Sequence, residues 1–266
     1  MKERIKQILS NYPKFYSFVA KGYTNSVMTF RYLNEYFLGT RVREKHWATR
    51  HLRKGNDWNN MEHPGEDDEW VRSYWDSRNH SHRTLIIERI SAYYPFSSIL
   101  EIGCNCGPNL YLLARKFPDA EIRGIDINTK AVQKGNEWLA QEGISNVKLL
   151  VGKADELSQF IDKSFDVVFT DAVLIYIGRD KIKKVIKDMI RITRRALILM
   201  EWHCFEPQRK DPNGLGVYHC GYWKRDYVAL VQQFVPVEHC RVTKISEDIW
   251  PDKNWSGVGA VIEVSM

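Results

Sequence analysis

The chain has 266 residues, enough for one large domain or for a domain with an elaborated cap. Hydrophobic residues make up 44%, which argues against disorder along the whole chain, and no apolar run approaches the roughly 18–20 residues of a membrane span. The net charge of +6 is modest, an odd cysteine count of five disfavours a fully paired secreted framework, and residues 1–11 do not read as a secretory signal, so a cytoplasmic protein is expected.

Composition changes near residue 95. Before it the chain is crowded with aromatic and imidazole side chains: Trp47, His51, Trp58, His63, Trp70, Tyr74, Trp75, His80 and His82. Residues 1–94 are expected to form a helical, aromatic cap that contributes to a substrate site, and 95–266 a second domain. The short apolar run 98–102 ends at a glycine-containing turn and reads as a buried strand. Pro108 suits the first turn of a helix that carries Leu110, Leu113 and Phe117. Residues 121–126 form the second expected strand, and Thr129 caps a helix through Val132, Leu139 and Ala140. Strands at 147–151 and 165–170 follow. Ile182, Val185, Ile186, Met189 and Ile190 then recur at helical spacing, with Asp180 as the expected cap. A strand at 196–201, a helix at 225–234 and strands at 241–246 and 259–264 complete the chain. This alternation predicts an α/β fold, a seven-stranded and mostly parallel sheet with helices on both faces. The final pair, joined without a helix, predicts a C-terminal antiparallel hairpin.

The first strand runs into Glu101, Gly103, Cys104, Asn105, Cys106 and Gly107. Glycines at 103 and 107 let the backbone pass close to a ligand, in the crevice at the carboxyl ends of the strands. Three carboxylates follow successive strands: Asp126, suited to accept both hydroxyls of a ribose, Asp155, suited to an adenine amino group, and Asp171. Their shared place on one sheet edge points to a nucleoside-containing cofactor. A dinucleotide dehydrogenase is the competing reading, but its Gly-x-Gly-x-x-Gly fingerprint is absent, since Cys104 and Cys106 interrupt the glycines.

Glu-x-Gly-x-x-x-Gly at 101–107, Asp126 and Phe-Asp-Val-Val at 165–168 resemble the motifs of class I S-adenosylmethionine-dependent methyltransferases over about residues 95–202. The resemblance implies a Rossmann-like fold with S-adenosyl-L-methionine as cofactor. It implies that Gly103 and Gly107, with Cys104 and Asn105 between them and Asn109 beyond, approach the methionine part. Glu101 would hold the amino end indirectly, Asp126 with Ile127 the ribose, Ala154 with Asp155 the adenine, and Asp171 with Ala172 the methionine side. Trp75 would cover the cofactor, and Arg78, His82 or Arg83 would meet its carboxylate. Stretches 168–177, 197–201 and 224–227 are similar to methyltransferases associated with pseudaminic-acid and surface-saccharide pathways, although Tyr176 stands where those carry His.

A hydroxyl acceptor requires a base near the transferred methyl. His203 and His219 are favoured because imidazole titrates near neutrality, with Tyr176 a further candidate. The expected reaction is methylation of a small molecule, at oxygen of a sugar-like or secondary-metabolite acceptor. The alternatives are an RNA or protein methyltransferase docking through the basic N-terminal region, and a non-catalytic cofactor-binding subunit. Nucleic acid is less favoured because Glu66, Asp67, Asp68 and Glu69 dilute that region's basic charge. No cysteine pair has structural-zinc spacing, so no metal is expected, and neither a membrane partner nor an oligomeric state is indicated.

Overall fold

A computed structural model describes residues 33, 38–52, 69–206, 214–219 and 221–266. The expectations for residues 1–11, Trp58, His63 and 66–68 lie outside these. Helix α1 (Arg41–Ala48), α2 (Glu69–Asp76) and α3 (Ser81–Ser91) precede the sheet. Strands β1 (Ser98–Ile102), β2 (Glu121–Asp126) and β3 (Val147–Val151) are linked by α4 (Pro108–Lys116) and α5 (Thr129–Gln141). Then come β4 (Phe165–Asp171), α6 (Ile182–Ile192) and β5 (Thr193–Trp202). A small hairpin, β6 (Val217–His219) and β7 (Tyr222–Lys224), leads to α7 (Tyr227–Val231), β8 (Cys240–Lys244), α8 (Lys253–Val258) and β9 (Gly259–Ser265).

The seven-stranded sheet has the order β3-β2-β1-β4-β5-β9-β8, with β9 antiparallel to both neighbours. The expected Rossmann-like architecture and its C-terminal antiparallel pair are present, but the short helix α8 stands between β8 and β9, where a connection without a helix was expected. Strand order reverses between β1 and β4, so the strand ends diverge there and open a crevice for a ligand. The two-residue period of the strands divides the core. Ile99, Val167, Phe169 and Ile198 pack beneath α2 to α5, whereas Leu100, Val168, Leu197 and Leu199 pack beneath α6 and α7. Helix α6 buries Ile182, Val185, Ile186, Met189 and Ile192 along one stripe. Ile186 is fully buried, so Ile186→Ala should cost about 2–5 kcal/mol in denaturant unfolding.

Several local expectations are corrected. Asn128, not Thr129, caps α5, accepting from the Ala131 N–H at 3.0 Å. Asp180 does not cap α6. Its carboxylate accepts from the backbone N–H of Thr40 and, at 2.7 Å, from the Thr40 hydroxyl, which ties the segment before α1 to the end of the turn after β4. The helix expected at 225–234 is confined to Tyr227–Val231, because Arg225 is held in a bridge to His203 and Asp226 supplies the cap.

Candidate active site

At the carboxyl ends of β1, β2, β3 and β4 lies an open cleft of about 800 Å³. Gly103, Asn105, Asp126, Ile127, Ala154, Asp155, Asp171 and Ala172 all line it. Gly103 is required by sterics as well as conformation. Its φ is +77°, and a Cβ there would stand 2.2 Å from Val173 Cγ2. Gly107, also at positive φ, begins α4 and faces Leu149, so it serves the packing of the loop and not the cleft wall. Cys104 and Cys106 are buried free thiols, and burial pushes Cys106 up to about 12, so neither is a nucleophile.

Asp126 organises one end of the cleft. One carboxylate oxygen accepts from Asn105 N–H at 2.8 Å and the other from Asn128 N–H at 2.7 Å. Burial raises its carboxyl and these two donors oppose the rise. Asp155 is ion-paired with Lys181 at 2.7 Å, and Lys181 also contacts Glu44.

The other end is a buried polar cluster. Asn109 donates to Glu101 Oε1 at 2.7 Å and to Asp171 Oδ2 at 3.0 Å, while its own oxygen accepts from Arg83 at 2.9 Å. Burial pushes the Glu101 carboxyl up to about 8, against the Asn109 hydrogen bond. Burial would also raise Asp171, but His82, Arg83 and Asn109 outweigh it and hold that carboxyl below the ordinary range. Glu101 Oε2 and Asp171 Oδ1 are buried without a hydrogen-bond partner among the described residues. Asp171 lines the cleft, and its unsatisfied carboxylate oxygen suits a cationic ligand, while Glu101 lies behind it through Asn109.

Beyond Asp171 the cleft adjoins a second chamber of about 1090 Å³. Trp70, Tyr74, Asp171, Ala172 and Tyr176 line both spaces. The far wall of the chamber is Trp202, Tyr222, Trp250 and Trp255, and His80, His82 and Asp252 add polar groups. Trp250 and Trp255 stack face to face at 3.8 Å, and His82 stacks on Trp250 at 4.1 Å. The turn that carries the shared wall, Leu174–Tyr176, is clamped on both sides. Glu201, buried and pushed up to about 7 by that burial, accepts the N–H groups of Val173, Leu174 and Ile175. Arg225, fully buried, donates to the carbonyls of Leu174, Ile177 and Leu215.

The expected site residues are therefore brought together unequally. Trp75 does not cover the cleft. It is buried against Tyr111 and Trp138, with Arg78 over its ring. Trp70 and Tyr74, a helical turn apart on the adjacent stripe, take the cleft position with Trp47 of α1. His82 and Arg83 engage Asp171 instead of facing a ligand carboxylate. His203 lies outside both spaces: it is buried, its Nδ1 accepts from Tyr227 N–H, and burial lowers its basicity. His219 is exposed on the hairpin and lines neither space. Tyr176 lines both, but burial raises its phenol well above the ordinary value, so it is a hydrogen-bond donor and not a base. The contributions of α1 and of Trp250 and Trp255 carry no sequence motif. The repeated spacing Trp70–Tyr74 was the one available signal for the cleft face of α2.

Residues 99–196 match the family model described as a methyltransferase domain. Malonyl-[acyl-carrier protein] O-methyltransferase of Priestia megaterium is 30% identical over 94 residues, 35% of this chain and 32% of that protein. The chain spans 54% of one curated relative it matches and 32% of two others. A geranyl diphosphate methyltransferase in complex with GPP and sinefungin superposes with a TM-score of 0.53 at 11% identity, covering 70% of this chain and 76% of that one. Magnesium protoporphyrin IX methyltransferase from Synechocystis PCC 6803, with bound SAM, gives a TM-score of 0.50 at 15% identity over 88% of this chain and 94% of that one. These likenesses establish the fold.

Proposed function

We propose that this protein is an S-adenosylmethionine-dependent methyltransferase acting on a small molecule at oxygen. The observation that carries the reading is the pair of adjoining spaces with a common wall at Asp171, Ala172 and Tyr176. One has the donors and acceptors for a nucleoside with a cationic tail, and the other is an aromatic chamber of small-molecule size. Asp126 would accept the ribose hydroxyls. Ile127 and Ala154 would flank the adenosine, with Asp155 at its adenine end. Asp171 would face the positively charged methionine end, with Glu101 acting on it from behind through Asn109.

The cofactor supplies an activated methyl group. What the protein must add is position, exclusion of water and a route for the acceptor's proton. Trp202, Tyr222, Trp250 and Trp255 give the chamber apolar aromatic surface against which a sugar-like ring or a planar metabolite can pack. Buried Trp202 Nε1, with no partner among the described residues, offers a donor to an acceptor oxygen in the same chamber. The resemblance to saccharide-associated methyltransferases supports a sugar-like acceptor. The described helices α1, α2 and α3 then act as a cap, since α1 and α2 line the cleft and α2 and α3 the chamber.

Proton release tests the cationic end of the site. In the empty protein the Glu101 carboxyl is protonated below about 8. A bound cation favours the carboxylate, so binding at pH 7 should release a proton and affinity should rise with pH until about 8. Calorimetry with S-adenosylmethionine in buffers of different ionisation enthalpy reads the proton directly. A buffer-independent heat, or affinity that falls as pH rises, contradicts the assignment.

A further inference from the structure

We infer, on the methyltransferase reading, that Tyr74, Tyr176 and Asp171 form a charge-selective collar, which holds the sulfonium of the cofactor more tightly than the neutral thioether of its product. A methyl group that passes from the cofactor cleft to the acceptor chamber must cross the wall they share. That wall is Trp70, Tyr74, Asp171, Ala172 and Tyr176. Its side chains are aromatic or anionic, apart from one methyl, and none is cationic.

Tyr74 stands where the sulfur belongs. In an adenosyl sulfonium the sulfur joins the ribose to the methionine chain. The Tyr74 phenol lies within electrostatic reach of Asp126, at the ribose end, and of Asp171, at the methionine end. Its side chain is 36% exposed, and Trp70 meets it in a T-shaped contact at 5.5 Å, so ring surface remains for a ligand. Tyr176 makes T-shaped contacts with Trp47 at 4.6 Å and with Tyr222 at 5.5 Å, which fix its plane. Burial raises the Tyr176 phenol well above the ordinary value, so the ring attracts a cation through its π face and not as a phenolate. Trp70 completes the wall, but Arg50 already lies over its ring at 5.4 Å. The two tyrosines therefore carry the selectivity.

Asp171 supplies the formal charge. Its Oδ2 is engaged by Asn109 at 3.0 Å, His82 at 3.2 Å and Arg83 at 3.5 Å. Its Oδ1 is buried without a hydrogen-bond partner among the described residues, and the side chain is 7% exposed. His82, Arg83 and Asn109 hold the carboxyl below the ordinary range, so that oxygen is anionic. A buried anionic oxygen with no donor favours a cation beside it.

Methyl transfer removes that cation. As the acceptor oxygen bonds the methyl carbon, the carbon–sulfur bond breaks and leaves its electron pair on sulfur, while the acceptor's proton departs to solvent. The collar then faces a neutral thioether and its attraction is lost. Release of the product follows from the contacts that held the donor.

Calorimetry of the full chain compares S-adenosylmethionine, S-adenosylhomocysteine and sinefungin, which carries an ammonium in place of the methylsulfonium. In Tyr74→Leu/Tyr176→Leu the affinity of S-adenosylmethionine relative to S-adenosylhomocysteine should fall by roughly tenfold from the wild-type ratio, and that of sinefungin with it. Tyr74→Phe and Tyr176→Phe keep the rings and should keep both ratios within about twofold. A merely loosened wall weakens all three ligands alike. Ratios unchanged in the leucine variant, or moved equally in the phenylalanine variants, would overturn the proposal. NMR of methyl-¹³C S-adenosylmethionine on the wild type needs no variant. The bound methyl protons should resonate upfield of the free ligand, shielded by the tyrosine faces, and a position at or downfield of it would equally overturn the collar. Binding of S-adenosylhomocysteine with unaltered ratios refutes the collar and leaves the methyltransferase reading standing. No binding of any of the three ligands by folded wild type refutes that reading, and the collar with it.

Discussion

Asp126→Ala should weaken S-adenosylmethionine binding by at least about 100-fold. Hydrogen bonds to a charged acceptor contribute about 1.5–3 kcal/mol each, and a ribose offers two hydroxyls. Tenfold in affinity corresponds to about 1.4 kcal/mol, so losing both exceeds two decades. The carboxylate has a second task, because the same oxygens hold the N–H groups of Asn105, in the middle of the glycine loop, and of Asn128, just beyond β2. Its removal therefore loosens the walls as well as the ligand. Asp126→Asn, which keeps one acceptor oxygen, should fall between the two. Equal affinity of wild type and Asp126→Ala by calorimetry would remove Asp126 from the cofactor site.

Arg225→Ala should be among the most destabilising single substitutions, costing about 3–5 kcal/mol in denaturant unfolding. The side chain is fully buried, and its three donor nitrogens each reach a main-chain carbonyl. Deletion leaves buried carbonyls without donors, each a desolvation loss of about 1–3 kcal/mol. Arg225→Lys should recover little, since an ammonium cannot reproduce the planar fork. Two of those carbonyls belong to the turn 174–177, whose N–H groups Glu201 holds from the other side. Below its unfolding transition the variant should therefore also bind cofactor more weakly, because Ala172, Val173 and Tyr176 line the cleft. Stability within about 0.5 kcal/mol of wild type would show that the guanidinium is not the clamp.

The sheet was legible in the chain because buried parallel strands are short apolar runs between turn signals. β1, β2 and β3 coincide with the stretches expected at 98–102, 121–126 and 147–151. The cleft was legible for the same reason. Gly103 directly follows β1, and Asp126 and Asp171 close β2 and β4, so sequence order puts them on one edge. The cap was less legible. A helix packed on two sides presents two stripes about 100° apart, and composition does not say which faces the ligand. Val71 and Trp75 point into the core, whereas Trp70 and Tyr74, one residue earlier, reach the cleft. The expected bases followed a similar logic. His203 directly follows β5, but its N–H bonds the Val258 carbonyl, which draws the ring into the wall, and His219 lies on β6, away from both spaces. His80, far upstream, reaches the chamber because α3 packs beside the end of β4 through the Asp171 contacts. The β6–β7 hairpin has strands of three residues, too short for a two-residue alternation to register.

The most direct test of the account is calorimetric titration of the full chain with S-adenosylmethionine, S-adenosylhomocysteine and NAD⁺, repeated with Asp126→Ala. Micromolar binding of both adenosyl ligands, its loss in the variant, and no heat from NAD⁺ are expected. Absence of binding by a folded wild type, or a preference for NAD⁺, would contradict the account.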